Sequence, residues 1–84
     1  MKNKYIDFIG NKHWKNEYGE SHRDENGLPA IEWSNGRKYW CLNGEYHRED
    51  GPAIEYAEGY KFWFINGKEH TKQEFNDFLL KKRL

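Results

Sequence analysis

The chain has little of what holds many small proteins together covalently. Cys41 is its only cysteine, so no disulfide can form within it. A chain without staples fits a reducing compartment, and the cytoplasm is the expected location. Long apolar runs are missing too. The first ten residues carry lysines but no apolar stretch of signal-peptide length, and no membrane-length apolar segment follows, so neither export nor membrane insertion is expected. Net charge is also absent, because 14 Lys+Arg balance 14 Asp+Glu. That excludes the strongly basic footprint of a sequence-independent nucleic-acid binder and the acidic surface of a DNA mimic, so nucleic acid is not the expected partner. With 84 residues there is room for one core and one domain.

What the chain does have is aromatic residues, at 18%, in a sequence that is 33% charged with a mean hydropathy of −1.25. Its few apolar side chains are therefore large and spaced among polar ones. Their spacing repeats. Pro29-Ala30-Ile31-Glu32 returns as Pro52-Ala53-Ile54-Glu55, and the match runs without a gap to Asn43-Gly44 and Asn66-Gly67. Upstream, Gly19-Glu20-Ser21-His22-Arg23 answers Gly44-Glu45-Tyr46-His47-Arg48, with two extra residues in the first copy between His22 and Pro29. The third copy fades at Gly67-Lys68-Glu69-His70, and a degenerate copy opens the chain, with Ile6-Asp7-Phe8 set against Ile31-Glu32-Trp33. The expected organisation is a single domain over 1–84: a degenerate repeat at 5–18, repeats at 19–43 and 44–66, a half-repeat at 67–70 and a helix at 71–83.

Within each repeat the alternation of apolar and polar residues reads as short strands. Asn43-Gly44 and Asn66-Gly67 mark hairpins, because a type I′ turn needs positive φ at both central residues. The fold class expected is mainly β, an antiparallel meander of about three β-hairpin repeats. The tail changes period. Thr71-Lys72-Gln73-Glu74 spells a capping box, and Phe75, Phe78 and Leu79 then fall on one helical stripe, predicting a C-terminal helix that caps the sheet.

The run Trp40-Cys41-Leu42-Asn43-Gly44-Glu45-Tyr46-His47-Arg48-Glu49-Asp50-Gly51-Pro52-Ala53-Ile54-Glu55 resembles a repeat of the form W-x-x-N-G-x-x-H-R-x-D-G-P-A-x-E, found in small proteins of bacteriophages and related mobile elements. It is also distantly similar to MORN-type repeat variants, including YwqK-like proteins described as antitoxin components. The resemblance covers roughly residues 6–70. It implies a β-hairpin repeat fold without catalysis, and brings no shared ligand or partner. The chain departs from the pattern at the insertion between residues 24 and 29 and at Thr71, which stands where the repeat carries arginine.

The candidate chemistry is thin. His22, His47 and His70 occupy equivalent positions, but one histidine per repeat, about 10 Å apart, is too sparse for a shared zinc ion. A structural role is expected, each ring bonding a backbone carbonyl. Arg23 and Arg48 lie among carboxylates and are expected to stitch strands; they become an anion site only if those carboxylates turn away. Cys41, on a strand among apolar neighbours, reads as a small buried hydrophobe. His22-Arg23-Asp24 matches a kinase catalytic-loop tripeptide, but no Gly-rich loop accompanies it. No nucleophilic triad, metal site or cofactor cradle emerges, and a non-enzyme is expected.

The aromatics remain. Trp33, Tyr39, Tyr46, Tyr56, Tyr60 and Phe62 are the expected binding set, on a sheet face left open when a helix covers the other. From this face and the resemblance, the leading expectation is a small phage or mobile-element protein that binds and inhibits a host protein, such as a CRISPR-Cas effector. Alternatives are a sponge for an anionic nucleotide at Arg23 and Arg48, a single-strand nucleic-acid binder, and a homo-oligomer that buries the aromatic face against its own copy.

Overall fold

The two Asn-Gly pairs set the architecture. In the computed structural model, which describes residues 3–25 and 27–82, Asn43 and Asn66 both have φ of 49°, and Gly44 and Gly67 have 83° and 81°. These are the positive values that a two-residue hairpin turn demands. Around them the described residues form nine strands and one helix. The strands are β1 (Asn3–Ile6), β2 (Lys12–Lys15), β3 (Ile31–Glu32), β4 (Lys38–Tyr39), β5 (Cys41–Leu42), β6 (Glu45–Tyr46), β7 (Ile54–Glu55), β8 (Lys61–Ile65) and β9 (Lys68–His70), followed by α1 (Lys72–Lys82).

The main sheet runs β1-β2-β3-β4-β7-β8-β9, every neighbouring pair antiparallel, and β5-β6 form a separate hairpin. The meander is therefore two rows of turns rather than one. The chain zigzags between a row that turns near Gly10, Gly36 and Gly59 and a row of hairpins that turn near Gly19, Gly44 and Gly67. Hairpins in the second row are joined to one another by backbone bonds: Arg23 N–H donates to Cys41 O at 3.1 Å, and Arg48 N–H to Phe64 O at 3.2 Å. As its two aromatic faces suggest, β8 is paired on both sides, with β7 and β9.

Backbone bonding also corrects the frame of the first copy. Gly10 N–H bonds Asp7 O, Gly36 N–H bonds Trp33 O and Gly59 N–H bonds Tyr56 O, each at 3.0 Å. Asp7 is thus the structural equivalent of Trp33 and Tyr56, and Tyr5-Ile6-Asp7, rather than Ile6-Asp7-Phe8, answers Ile31-Glu32-Trp33. Phe8 then stands in the turn itself.

Trp14, Trp40, Cys41 and Ile65 are buried, together with Ala30, Ile31, Ala53 and Phe75. The repeated alanines lose all solvent exposure because their backbones are clamped on both sides. Ala30 donates to Tyr39 O and accepts from Trp14 N–H, while Ala53 donates to Phe62 O and accepts from Trp40 N–H. The insertion in the first repeat folds back on the same repeat's tryptophan: Gly27 O accepts the Trp40 indole N–H at 2.7 Å.

The helix begins as its sequence predicts. Thr71 N–H donates to Glu74 Oε1 at 2.9 Å and Glu74 N–H to Thr71 Oγ1 at 3.1 Å, the reciprocal capping box. Phe75 is buried, Phe78 and Leu79 are half-buried, and the helix contacts β8 and β9. Its far end reaches the second repeat, where Lys82 pairs with Glu49. The last position of the expected helix, residue 83, lies outside the described residues. No helix among the described residues is long and apolar enough to cross a membrane.

Candidate binding face

Strand register sorts the aromatics by face, because residues directly opposite in a sheet share one side. Tyr5 is opposite His13, His13 opposite Ile31, Ile31 opposite Tyr39, Tyr39 opposite Ile54, and Ile54 opposite Phe62. By the two-residue side-chain period, Trp33, Tyr56, Tyr60 and Phe64 join them. On the other side run Lys12, Glu32, Lys38, Glu55 and Lys61, each opposite the next, with Trp14 and Trp63 two residues along their strands. The sheet therefore has one aromatic face and one face of alternating charge.

The aromatic face is a continuous row of ring contacts. Tyr5 stacks on His13 at 4.7 Å between centroids, His13 meets Trp33 edge-on at 5.9 Å, Trp33 meets Tyr39 at 5.4 Å, Tyr39 meets Tyr46 at 5.6 Å, and Tyr46 meets Phe64 at 5.1 Å. Tyr56 forms a branch with Tyr60 at 6.2 Å and Phe62 at 5.5 Å. All six expected residues lie in this row or its branch. Trp33, Tyr39, Tyr56 and Phe62 are half-buried, Tyr46 is at the border of exposure, and Tyr60 is 64% exposed. Burial, with smaller contributions from Cys41, Tyr39 and Tyr56, pushes the Tyr46 phenol above its ordinary value. The Trp33 indole N–H is buried and has no hydrogen-bond acceptor among the described residues.

Sequence reasoning omitted Tyr5, His13 and Phe64 from the row, and the two cations above it. Lys15 Nζ lies 4.8 Å from the Tyr5 ring centre, and the Arg37 guanidinium lies 4.0 Å from that of Tyr56. Neither makes an ion pair among the described residues. The signal for them was the register, which follows once Gly10, Gly36 and Gly59 are aligned as equivalent turns.

Arg23 and Arg48 sit apart from this row, each laid flat on a tryptophan. The guanidinium carbons are 3.8 Å from the ring centres of Trp14 and Trp40. Arg48 donates to Asp50 at 2.7 Å, Glu55 at 2.9 Å and Pro52 O at 3.1 Å. Arg23 repeats the pattern more loosely, with Glu25 at 3.4 Å, Glu32 at 3.7 Å and Pro29 O at 3.2 Å. Carboxylates face both guanidinium groups, so the condition for an anion site at Arg23 and Arg48 is not met; both arginines clasp strands instead. In the third copy the capping box replaces this clasp, with Thr71 where arginine would stand.

The histidines differ from expectation in chemistry. His22 Nδ1 accepts the Asn43 backbone N–H, and His47 Nδ1 accepts that of Asn66, both at 2.9 Å. They bond an N–H rather than a carbonyl because the turn of the next hairpin presents an unpaired donor there. His47 Nε2 in turn faces Glu49 at 2.9 Å. The Lys82 hydrogen bond, supported by His47, holds the Glu49 carboxyl below its ordinary value against the effect of burial. Among the described residues no cluster of three or more His, Cys, Asp or Glu could hold a metal ion. Cys41 is buried, and burial pushes its thiol up to about 12. Comparison with protein families, with curated proteins and with solved structures finds no match to this chain.

Proposed function

We propose that this protein is a non-enzymatic binding module whose aromatic sheet face docks onto another protein. The observation that carries this reading is the row of touching rings from Tyr5 to Phe64 on one face, with Tyr60 exposed at its branch. Rigid aromatic residues supply contact area at small entropic cost, and partly buried rings flanked by cations are typical of interface anchors. The residues proposed to make contact are Trp33, Tyr39, Tyr46, Tyr56, Tyr60 and Phe62, extended by Tyr5, Phe64, Lys15 and Arg37. Lys15 and Arg37 favour a partner with acidic groups around an apolar centre.

The resemblance of the His-Arg-x-Asp-Gly-Pro-Ala repeat to bacteriophage and mobile-element proteins favours a host protein as the partner and inhibition as the outcome, with an anti-defence role as its specific form. The test is co-expression with active defence systems, including CRISPR-Cas, comparing the native protein with Tyr56→Ala and Tyr60→Ala. Loss of defence with the native protein but not with the variants supports the reading. Full defence in every case removes the inhibitor role.

A further inference from the structure

The aromatic face repeats at a fixed interval. His13, Tyr39 and Phe62 occupy equivalent places, each three residues after a turn glycine, Gly10, Gly36 or Gly59, and lie on β2, β4 and β8. In the order of the sheet each is two strands from the next, with Ile31 and Ile54 on the strands between. Neighbouring strands lie about 4.8 Å apart, so these three rings stand about 9.6 Å from one another along a line across the strands.

Hydrogen-bonding groups on this face are also of one kind. The phenols of Tyr39, Tyr46, Tyr56 and Tyr60 make no hydrogen bond among the described residues, and none of them is buried. Lys15 and Arg37 lie over rings of the row and add further donors. Within β2, β3, β4, β7 and β8 no carboxylate or amide stands on this side, since Glu32 and Glu55 face the other way. Acceptors are so scarce here that the buried Trp33 indole N–H finds none. A matching occupant is therefore apolar, rich in acceptors and poor in donors.

A polyproline II helix has that chemistry and that period. It turns once in three residues at about 3.1 Å per residue, so one of its edges repeats about every 9.3 Å, close to the spacing of the rings. Proline has no N–H to satisfy, its ring is apolar, and the backbone carbonyls of this helix are free to accept. Other occupants fit less well. A β-strand repeats each side about every 6.7 Å, out of step with the rings, and brings N–H groups that meet no acceptor. An α-helix bonds its own carbonyls and leaves the phenols unmatched. A sugar brings many hydroxyl donors, which call for the carboxylates or amides this side lacks.

We propose that the partner segment is proline-rich and lies across the strands as a polyproline II helix, with prolines at every third position over His13, Tyr39 and Phe62. The phenols of Tyr39, Tyr46, Tyr56 and Tyr60, together with Lys15 and Arg37, donate to its carbonyls. This inference rests on the docking role proposed for the aromatic face and names the kind of chain that docks.

The test is a titration followed by nitrogen–proton correlation spectra, in which the four tryptophan indole N–H groups give separate signals. The probe is a blocked seven-residue peptide with proline at its first, fourth and seventh positions and alanine between. A peptide of the same composition with prolines at the first, fifth and sixth positions, a proline-free glutamate-alanine peptide and cellopentaose serve as comparisons. The regularly spaced peptide is expected to move the Trp33 indole signal and to bind with a dissociation constant on the order of 0.1–1 mM. Tyr39→Phe, which keeps the ring and removes the donor, is expected to weaken it about threefold, and Tyr60→Ala about fivefold. Both variants are checked by thermal melting to be folded. Equal binding of the two proline spacings, stronger binding of the acidic peptide or of cellopentaose, or affinity unchanged in both variants overturns the proposal. So does the absence of any peptide binding. If a protein partner of the native chain is then still lost with Tyr60→Ala, the docking role of the face stands without a proline ligand; if that partner is kept, the docking role falls as well.

Discussion

His47 holds the hairpin turn of the repeat that follows it: its Nδ1 accepts the backbone N–H of Asn66 at 2.9 Å, from 19 residues away in sequence. His22 does the same for Asn43. An imidazole that accepts at Nδ1 carries its proton on Nε2, which in His47 points at Glu49. Each repeat is thus tied to the next by a side-chain bond to a backbone donor. Replacing His47 with alanine is expected to cost about 1 kcal/mol, the ordinary net worth of such a bond. Hydrogen exchange at the Asn66 amide should speed up in His47→Ala, with nitrogen chemical shifts of the native ring reporting the Nε2-H tautomer.

The arginine clasps predict an asymmetry between repeats. Arg48 makes short contacts to two carboxylates, while those of Arg23 are longer. Arg48→Ala is expected to lower stability by about 2 kcal/mol and Arg23→Ala by about 1 kcal/mol in urea unfolding followed by tryptophan fluorescence. Arg48→Lys recovers little of the loss, because an ammonium cannot lie flat on Trp40 and serve Asp50 and Glu55 together. Gly51→Ala should act in the same direction, since a Cβ there would come within 2.9 Å of the Arg48 guanidinium.

Asp7 predicts a pH dependence. Burial alone raises its pKa, but the hydrogen bonds from Asn11, His13 and Ile9 outweigh that and bring it from 3.8 down to about 2. A depressed folded-state value means stabilisation that is complete above the unfolded value and is lost as pH falls through the folded one. The stability gap between native protein and Asp7→Asn should therefore be widest near neutral pH and close between about 3.8 and about 2. A gap that stays constant over that window, measured by thermal melting, would show that the carboxylate does not hold the turn.

Cys41 is expected to be inert while the protein is folded. Its thiol is buried and pushed up to about 12, so almost no thiolate exists at pH 8. Labelling with a disulfide reagent should be slow in buffer and complete within the unfolding transition in urea. Cys41→Ser is expected to cost about 1–3 kcal/mol, the penalty for a buried hydroxyl without a partner.

Elements governed by local rules were legible in the sequence. Asn43-Gly44, Asn66-Gly67 and the Thr71-Glu74 capping box each depend on a few adjacent residues, and the structure has all three. The aromatics at 33, 39, 56, 60 and 62 lie on one face by the two-residue period once the strands are known, whereas Tyr46, on the separate β5-β6 hairpin, joins them only through its ring contacts with Tyr39 and Phe64. What escaped depended on neighbours distant in sequence. The histidines were expected to bond carbonyls, since nothing local reveals that the next turn offers a free N–H. The first repeat was framed one residue out because Phe8 looks like the aromatic counterpart of Trp33, whereas the Gly10 turn makes Asp7 that counterpart. Correct framing is what exposes Phe8 as surplus to the fold and adds Tyr5 to the aromatic row.

The most direct test of the central claim is an affinity capture of the tagged protein from bacterial lysate, with nuclease treatment, comparing the native chain with Tyr60→Ala. Tyr60 is exposed, so its truncation should leave stability within about 0.5 kcal/mol of native. The account predicts one stoichiometric protein partner that survives nuclease and is lost with Tyr60→Ala. A partner that stays bound to the variant, or one that leaves with the nucleic acid, would contradict it.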